Sequence, residues 1–156
     1  YTPLQLANYI ATLSGGGDRY TTHLLKNVRE SGTGALEYVY DAEPVQTIAM
    51  SEENLSAVLA GMHDLATDGA VSSYFKDCIV DAAAKTGTVQ TGDTKNNNGA
   101  FVCFAPYDDP QIAVAIVIEH ATWGSNLATT GVDILNAYFT ADETGSAVTG
   151  ENQLLP

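Results

Sequence analysis

Positive charge is scarce in this chain. Six Lys and Arg stand against 19 Asp and Glu among 156 residues, a formal charge of −13. Phosphate backbones are held by clustered cations, so nucleic acid is excluded as a partner, and an anionic membrane surface is disfavoured on the same ground. The acid excess itself reads as a solubility feature. Cysteine is limited to Cys78 and Cys103, both in apolar settings and without a Cys-x-x-Cys spacing, which fits buried free thiols better than a disulfide. His23, His63 and His120 are far apart, so no zinc spacing exists, and no cofactor is expected. No run of about 18 apolar residues is present, so no membrane-crossing segment is expected. The start, Tyr1-Thr2-Pro3-Leu4, has neither an initiator Met nor a basic signal-peptide region, and a fragment, a processed chain or a trimmed product is expected.

What is present suits a globular fold. Hydrophobic residues make up 45% of the chain, and a chain of this length can bury roughly 68–70% of its unfolded surface. One domain, or a large piece of one, follows.

Local signals divide the chain. Thr2 can cap a helix, Pro3 suits its first position and Gln5 completes a capping box. Leu6, Ile10 and Leu13 give that helix an apolar face, and Gly15-Gly16-Gly17 ends it. "THLLKNVRE" and "ALEYVYD" flank Ser31-Gly32-Thr33-Gly34 and predict a hairpin. Ser51 caps a second helix with Glu52 and Glu53 in its first turn, an apolar face from Leu55, Val58, Leu59, Met62 and Leu65, and Gly69 just beyond. Three strands follow, within "IVDAAAKTGTVQ", "AFVCFAPY" and "IAVAIVIEH", and the short turn between the last two predicts antiparallel pairing. "SNLATTGVDILNAYF" predicts a closing helix with Leu127, Ile134, Leu135 and Tyr138 available for burial. Residues 141–156 form an acidic tail expected to be disordered.

The chemistry centres on Lys85-Thr86-Gly87-Thr88. Glycine in a strand often marks close approach by another backbone or a ligand. An ammonium beside hydroxyl donors suits a carboxylate, and an open strand edge can pair with an extended peptide. In a regular strand Thr86 and Thr88 face one way and Lys85 the other; twist near a strand end can bring the ammonium and the Thr88 hydroxyl to one cleft. Taken alone, these four residues read more simply as an exposed lysine ahead of an ordinary turn.

Context alters that reading. "TPLQLANYIATLSGGG", then "AAKTGTVQ", then "GAFVCFAPYDDPQIAVAIVIE", in that order, closely resemble the C-terminal part of class B penicillin-binding proteins, the peptidoglycan D,D-transpeptidases. The resemblance runs from about Thr2 to Phe139, and Lys-Thr-Gly is a motif of serine β-lactamases and penicillin-binding proteins. It implies an α+β fold, an antiparallel sheet packed with helices, with residues 1–140 as the C-terminal part of a transpeptidase domain. It implies that Lys85 is catalytic, supplying positive charge and supporting proton movement during acylation. Thr86 and Thr88 would bind substrate, Thr88 holding the carboxylate of a D-Ala-D-Ala stem peptide or a β-lactam. Gly87 would leave room for the ligand, and Gln90 matches a Lys-Thr-Gly-Thr-x-Gln extension. Ala84 departs from the glycine that often precedes the lysine, and Gly69-Ala70-Val71 from Gly-Thr-Ala.

The family's Ser-x-x-Lys and Ser-x-Asn motifs precede Lys-Thr-Gly. Ser73-Tyr74-Phe75-Lys76 matches the first in form only: it lies too close to Lys85, and Ser73 reads as a surface residue with Tyr74 and Phe75 packing. Thr94-Lys95-Asn96 imitates the second but follows Lys85. The resemblance therefore implies an upstream serine nucleophile, absent here, and a sheet lacking two N-terminal strands. The expected partners are the stem peptide, β-lactams, and either the preceding part of the same domain or a second copy of this chain. The implied location is the extracytoplasmic face of the bacterial cell membrane, with a membrane-anchored parent and this piece soluble and inactive alone. A β-lactamase or D,D-carboxypeptidase relative, and a non-catalytic β-lactam-sensing module, are the competing readings.

Overall fold

The computed structural model describes residues 1–92 and 97–143. Helix α1 spans Pro3–Ser14, and its start follows the sequence closely. Thr2 Oγ1 accepts the Gln5 N–H at 3.2 Å, and the Gln5 side chain accepts the Thr2 N–H at 2.8 Å. Short strands β1 (Asp18–Arg19) and β4 (Gln46–Thr47) pair antiparallel and bracket a hairpin of β2 (Asn27–Arg29) and β3 (Leu36–Val39). Every residue of that hairpin is exposed. Helix α2 spans Glu52–Thr67, capped by the Ser51 hydroxyl accepting from the Asn54 N–H, and a single turn, α3, covers Ser72–Phe75.

The body of the fold is a three-stranded antiparallel sheet of β5 (Ala83–Val89), β6 (Asn98–Ala105) and β7 (Ile112–Ile118), in that order. The first predicted strand is shorter than expected at its start: Ile79 to Ala82 lie outside it, and Ile79 is exposed. Among the described residues β5 and β7 each have a free edge.

Period-two alternation sends side chains to two different cores. On one face Ala83 and Phe104 pack with Ile10 of α1 and Met62 of α2. On the other, Ala84, Phe101, Cys103 and Val114 pack with Leu127, Ala128 and Leu135. Ala84 is fully buried, its methyl packed within this second core. The closing helix enters through a 3-10 turn, Gly124–Leu127, before α4 (Ala128–Glu143). Gly131 faces Phe101 so closely that a Cβ would come within 2.5 Å of the ring.

Two burial expectations fail on α4. Ile134 and Tyr138 are exposed, at 38% and 42%, while Val132 is buried beside Leu135. The helix turns the 128, 131, 132, 135 stripe to the sheet, because only there can the Phe101 ring nest against a residue without a side chain. Tyr138 instead packs edge-on against Phe139. Tyr74, expected to pack, is likewise exposed, since the single turn of α3 directs Phe75 inward. α4 continues through Glu143; the rest of the expected tail, 144–156, and Thr94-Lys95-Asn96 lie outside the described residues. No helix of the described residues is long and apolar enough to cross a membrane.

Candidate functional site

Lys85, Thr86 and Gly87 sit in the middle of edge strand β5, opposite Val102, Phe101 and Ala100 of β6. They border a groove of about 370 Å³ between the sheet and helices α1 and α2, walled by Leu6, Tyr9, Ile10 and Met62. Among the described residues Lys85 is the only charged one lining it. Its ammonium is turned along the strand, donating to the Thr86 carbonyl at 2.5 Å. A carbonyl leaves the charge uncancelled, so an apolar groove with this ammonium at its rim suits an anionic ligand.

Gly87 has an open environment. A Cβ there would meet only the Ala100 Cβ at 3.4 Å and the Ala100 oxygen at 3.7 Å, ordinary contacts. Internal packing does not require glycine at this position; what its bare backbone keeps clear is the groove that it lines.

Thr88 lies on the opposite pleat, paired with Gly99. Its hydroxyl accepts the N–H of Gly124 at 3.2 Å, from the turn that precedes α4. Thr88 and Gln90 are exposed at the end of the strand and do not line the groove. Of the five residues singled out from the sequence, three thus share one groove, and Thr88 follows around the strand edge, held by a contact the sequence did not reveal.

Ser73 is exposed on α3 and does not line this groove. Cys103 is buried and Cys78 partly so, both as free thiols. Burial pushes the Cys103 thiol up to about 12, with the Cys78 thiol adding to the rise. Burial also raises Cys78, partly opposed by a backbone hydrogen bond at Val80 and reinforced by the Asp81 charge. Neither thiol is a candidate nucleophile.

One cluster escaped sequence reasoning. His63 of α2 reaches Asp81, ahead of β5, and stacks on Tyr107, with ring centroids 4.2 Å apart. These residues are 18 and 44 positions from His63, and no local pattern links them.

Comparison with known proteins bears on this site. Residues 1–137 match the family model described as penicillin binding protein transpeptidase domain. Penicillin-binding protein 2A of Bacillus subtilis is 34% identical over 131 residues, covering 76% of this chain and 18% of the relative. Peptidoglycan D,D-transpeptidase MrdA of Haemophilus influenzae is 29% identical over 146 residues, 81% of this chain and 22% of the relative. The chain thus spans about a fifth of the length of these curated relatives. Among solved structures, penicillin-binding protein 2B of Streptococcus pneumoniae strain R6 superposes with a TM-score of 0.78 at 26% identity, over 90% of this chain and 25% of that one.

Proposed function

The chain belongs to the penicillin-binding protein transpeptidase domain family, and on that premise we propose that it is the substrate-binding side of a serine-type peptidoglycan D,D-transpeptidase. The observation that carries this reading is Lys85: among the described residues it is the sole charge lining the groove, on a strand with an unpaired edge, in a chain of net charge −13. An extended stem peptide ending in D-Ala-D-Ala would lie along β5, adding backbone hydrogen bonds to the edge. Its terminal carboxylate would be held by the Thr88 hydroxyl, with Thr86 and Gln90 contributing to the same subsite. Gly87 leaves space for the ligand backbone.

In this reading the nucleophilic serine is supplied by polypeptide preceding residue 1. Its oxygen attacks the carbonyl of the penultimate D-Ala, backbone N–H groups stabilise the tetrahedral oxyanion, and the terminal D-Ala leaves with the proton relayed through the site. Lys85 adds the positive charge that favours proton movement off the serine. An amine of a second stem peptide then attacks the acyl-enzyme and restores the serine. A β-lactam enters the same site through its own carboxylate and acylates the serine by ring opening. The site of action is the extracytoplasmic face of the bacterial cell membrane.

The apolar wall of the groove and the free edge of β7, where Val117 and Ile118 are exposed, suit the preceding part of the same domain. Residues 1–156 on their own would associate with that part supplied as a separate piece, or with a second copy of themselves.

Fluorescent penicillin tests the proposal. The intact protein should be labelled covalently, and residues 1–156 alone should not. Labelling of the isolated chain at Ser73 would overturn the assignment of the nucleophile. A clean monomer of this chain by size-exclusion chromatography with mass spectrometry would contradict the association.

A further inference from the structure

Gly124 lies outside every motif noted in the sequence, yet it packs directly behind the Lys-Thr-Gly-Thr strand. It is buried, and a Cβ at this position would come within 2.1 Å of the Gly87 oxygen and 2.6 Å of the Ala100 oxygen. Both obstacles are backbone atoms of paired strands, so it is the turn carrying residue 124, not the sheet, that must shift to admit a methyl. The absent side chain lets the Gly124 N–H reach the Thr88 hydroxyl.

The turn that delivers this N–H is held in an unfavourable conformation. His120 and Thr122 both have positive φ, 58° and 70°, although neither is glycine and Thr122 is β-branched. The conformation is pinned to the start of β6: His120 N–H donates to Asn98 Oδ1, and Thr122 N–H to the Asn97 carbonyl, each at 3.0 Å. Asn126 Nδ2 donates back to the Ala121 carbonyl at 3.0 Å. A strained turn fixed by three hydrogen bonds beside a candidate site is a positioning device.

Chemistry says what it positions. A hydroxyl has one proton to give and two lone pairs to fill. With the Gly124 N–H on one lone pair, the Thr88 proton is turned away from that side, toward the exposed end of the strand. We propose that Gly124 is a positioning residue that fixes Thr88 as a hydrogen-bond donor to the ligand carboxylate. The inference rests on the reading that this strand binds a carboxylate.

The test uses the intact protein and compares acylation by benzylpenicillin with acylation by its neutral methyl ester. Gly124→Ala should slow the acid by about tenfold and leave the ester within about twofold, as should Thr88→Val, because a hydrogen bond to a charged group is lost in each. The double variant should be no slower than Thr88→Val alone. Equal slowing of acid and ester by Gly124→Ala, or losses that add in the double variant, would overturn the proposal. Should Gly124→Ala not fold, Thr88→Ser decides: it keeps the Gly124 bond and should retain at least about half the rate with the acid, and a tenfold loss would show that the threonine methyl does the orienting. If Thr88→Val slows neither compound, the carboxylate reading itself fails and this inference with it. If Thr88→Val shows the acid-specific loss and Gly124→Ala does not, only the inference about Gly124 fails.

Discussion

His63 Nε2 lies 2.9 and 3.0 Å from the two carboxylate oxygens of Asp81. The same imidazole stacks on Tyr107, whose backbone N–H donates to the Asp81 carbonyl at 3.0 Å. Helix α2 is thereby tied to the residue two positions ahead of β5. The pair is partly exposed, which limits its worth to about 1 kcal/mol or less, and the ring stack adds a similar amount. His63→Ala should therefore lower stability by about 1–2 kcal/mol, and His63→Phe, which keeps the stack, by less. Urea unfolding of the intact domain measures both. Equal losses for the two variants would show that the hydrogen bond to Asp81, not the stack, is what holds.

Gly87→Ala separates folding from binding. A Cβ at residue 87 makes only ordinary contact with Ala100, and alanine is better tolerated than glycine within a strand. Stability should change by no more than about 0.5 kcal/mol. The methyl would enter the groove, and acylation by penicillin should fall by about tenfold or more, equivalent to about 1.4 kcal/mol. A variant that unfolds, or one that reacts normally, would each contradict this.

Cys103 sets an alkaline limit on stability. Its thiol is raised in the folded protein from 9.0 to about 12, so folding favours the neutral form. That contribution is complete below pH 9 and is lost as pH rises from about 9 toward about 12, by something on the order of 4 kcal/mol. Cys103→Ala costs about 1–2 kcal/mol at pH 7 through the space left, but it should flatten the loss of stability between pH 9 and 11. Parallel pH profiles for the two proteins would contradict the assignment.

The parts of this fold that were legible in the sequence are those encoded by neighbours. Thr2, Pro3 and Gln5 announce a helix start within four residues, and Ser31 to Gly34 announce a hairpin. The three strands of the sheet show as apolar runs divided by turns. Ile134 and Tyr138 show the limit: α4 carries apolar residues on more than one side, and the face that packs is chosen by Phe101, which lies 30 residues before Gly131 in sequence. The site divides the same way. Lys85 to Thr88 stood out as a motif, and its family resemblance came from the order of three segments. The groove beside Lys85 depends on Leu6 and Met62, which are brought there by the fold. Gly124 gave no signal, because a glycine at a helix entrance is ordinary until its contact with the Gly87 oxygen is seen.

The central claim is that the Lys85 ammonium serves acylation from the edge of β5. The most direct measurement is the rate of acylation of the intact protein by benzylpenicillin, with Lys85→Ala compared against the unaltered protein. Lys85 is exposed, so the substitution should leave stability within about 0.5 kcal/mol. The account predicts a fall in rate of about a hundredfold or more, the range expected when a group supporting proton transfer is lost. A rate within about twofold of the unaltered protein, in a folded variant, would contradict it.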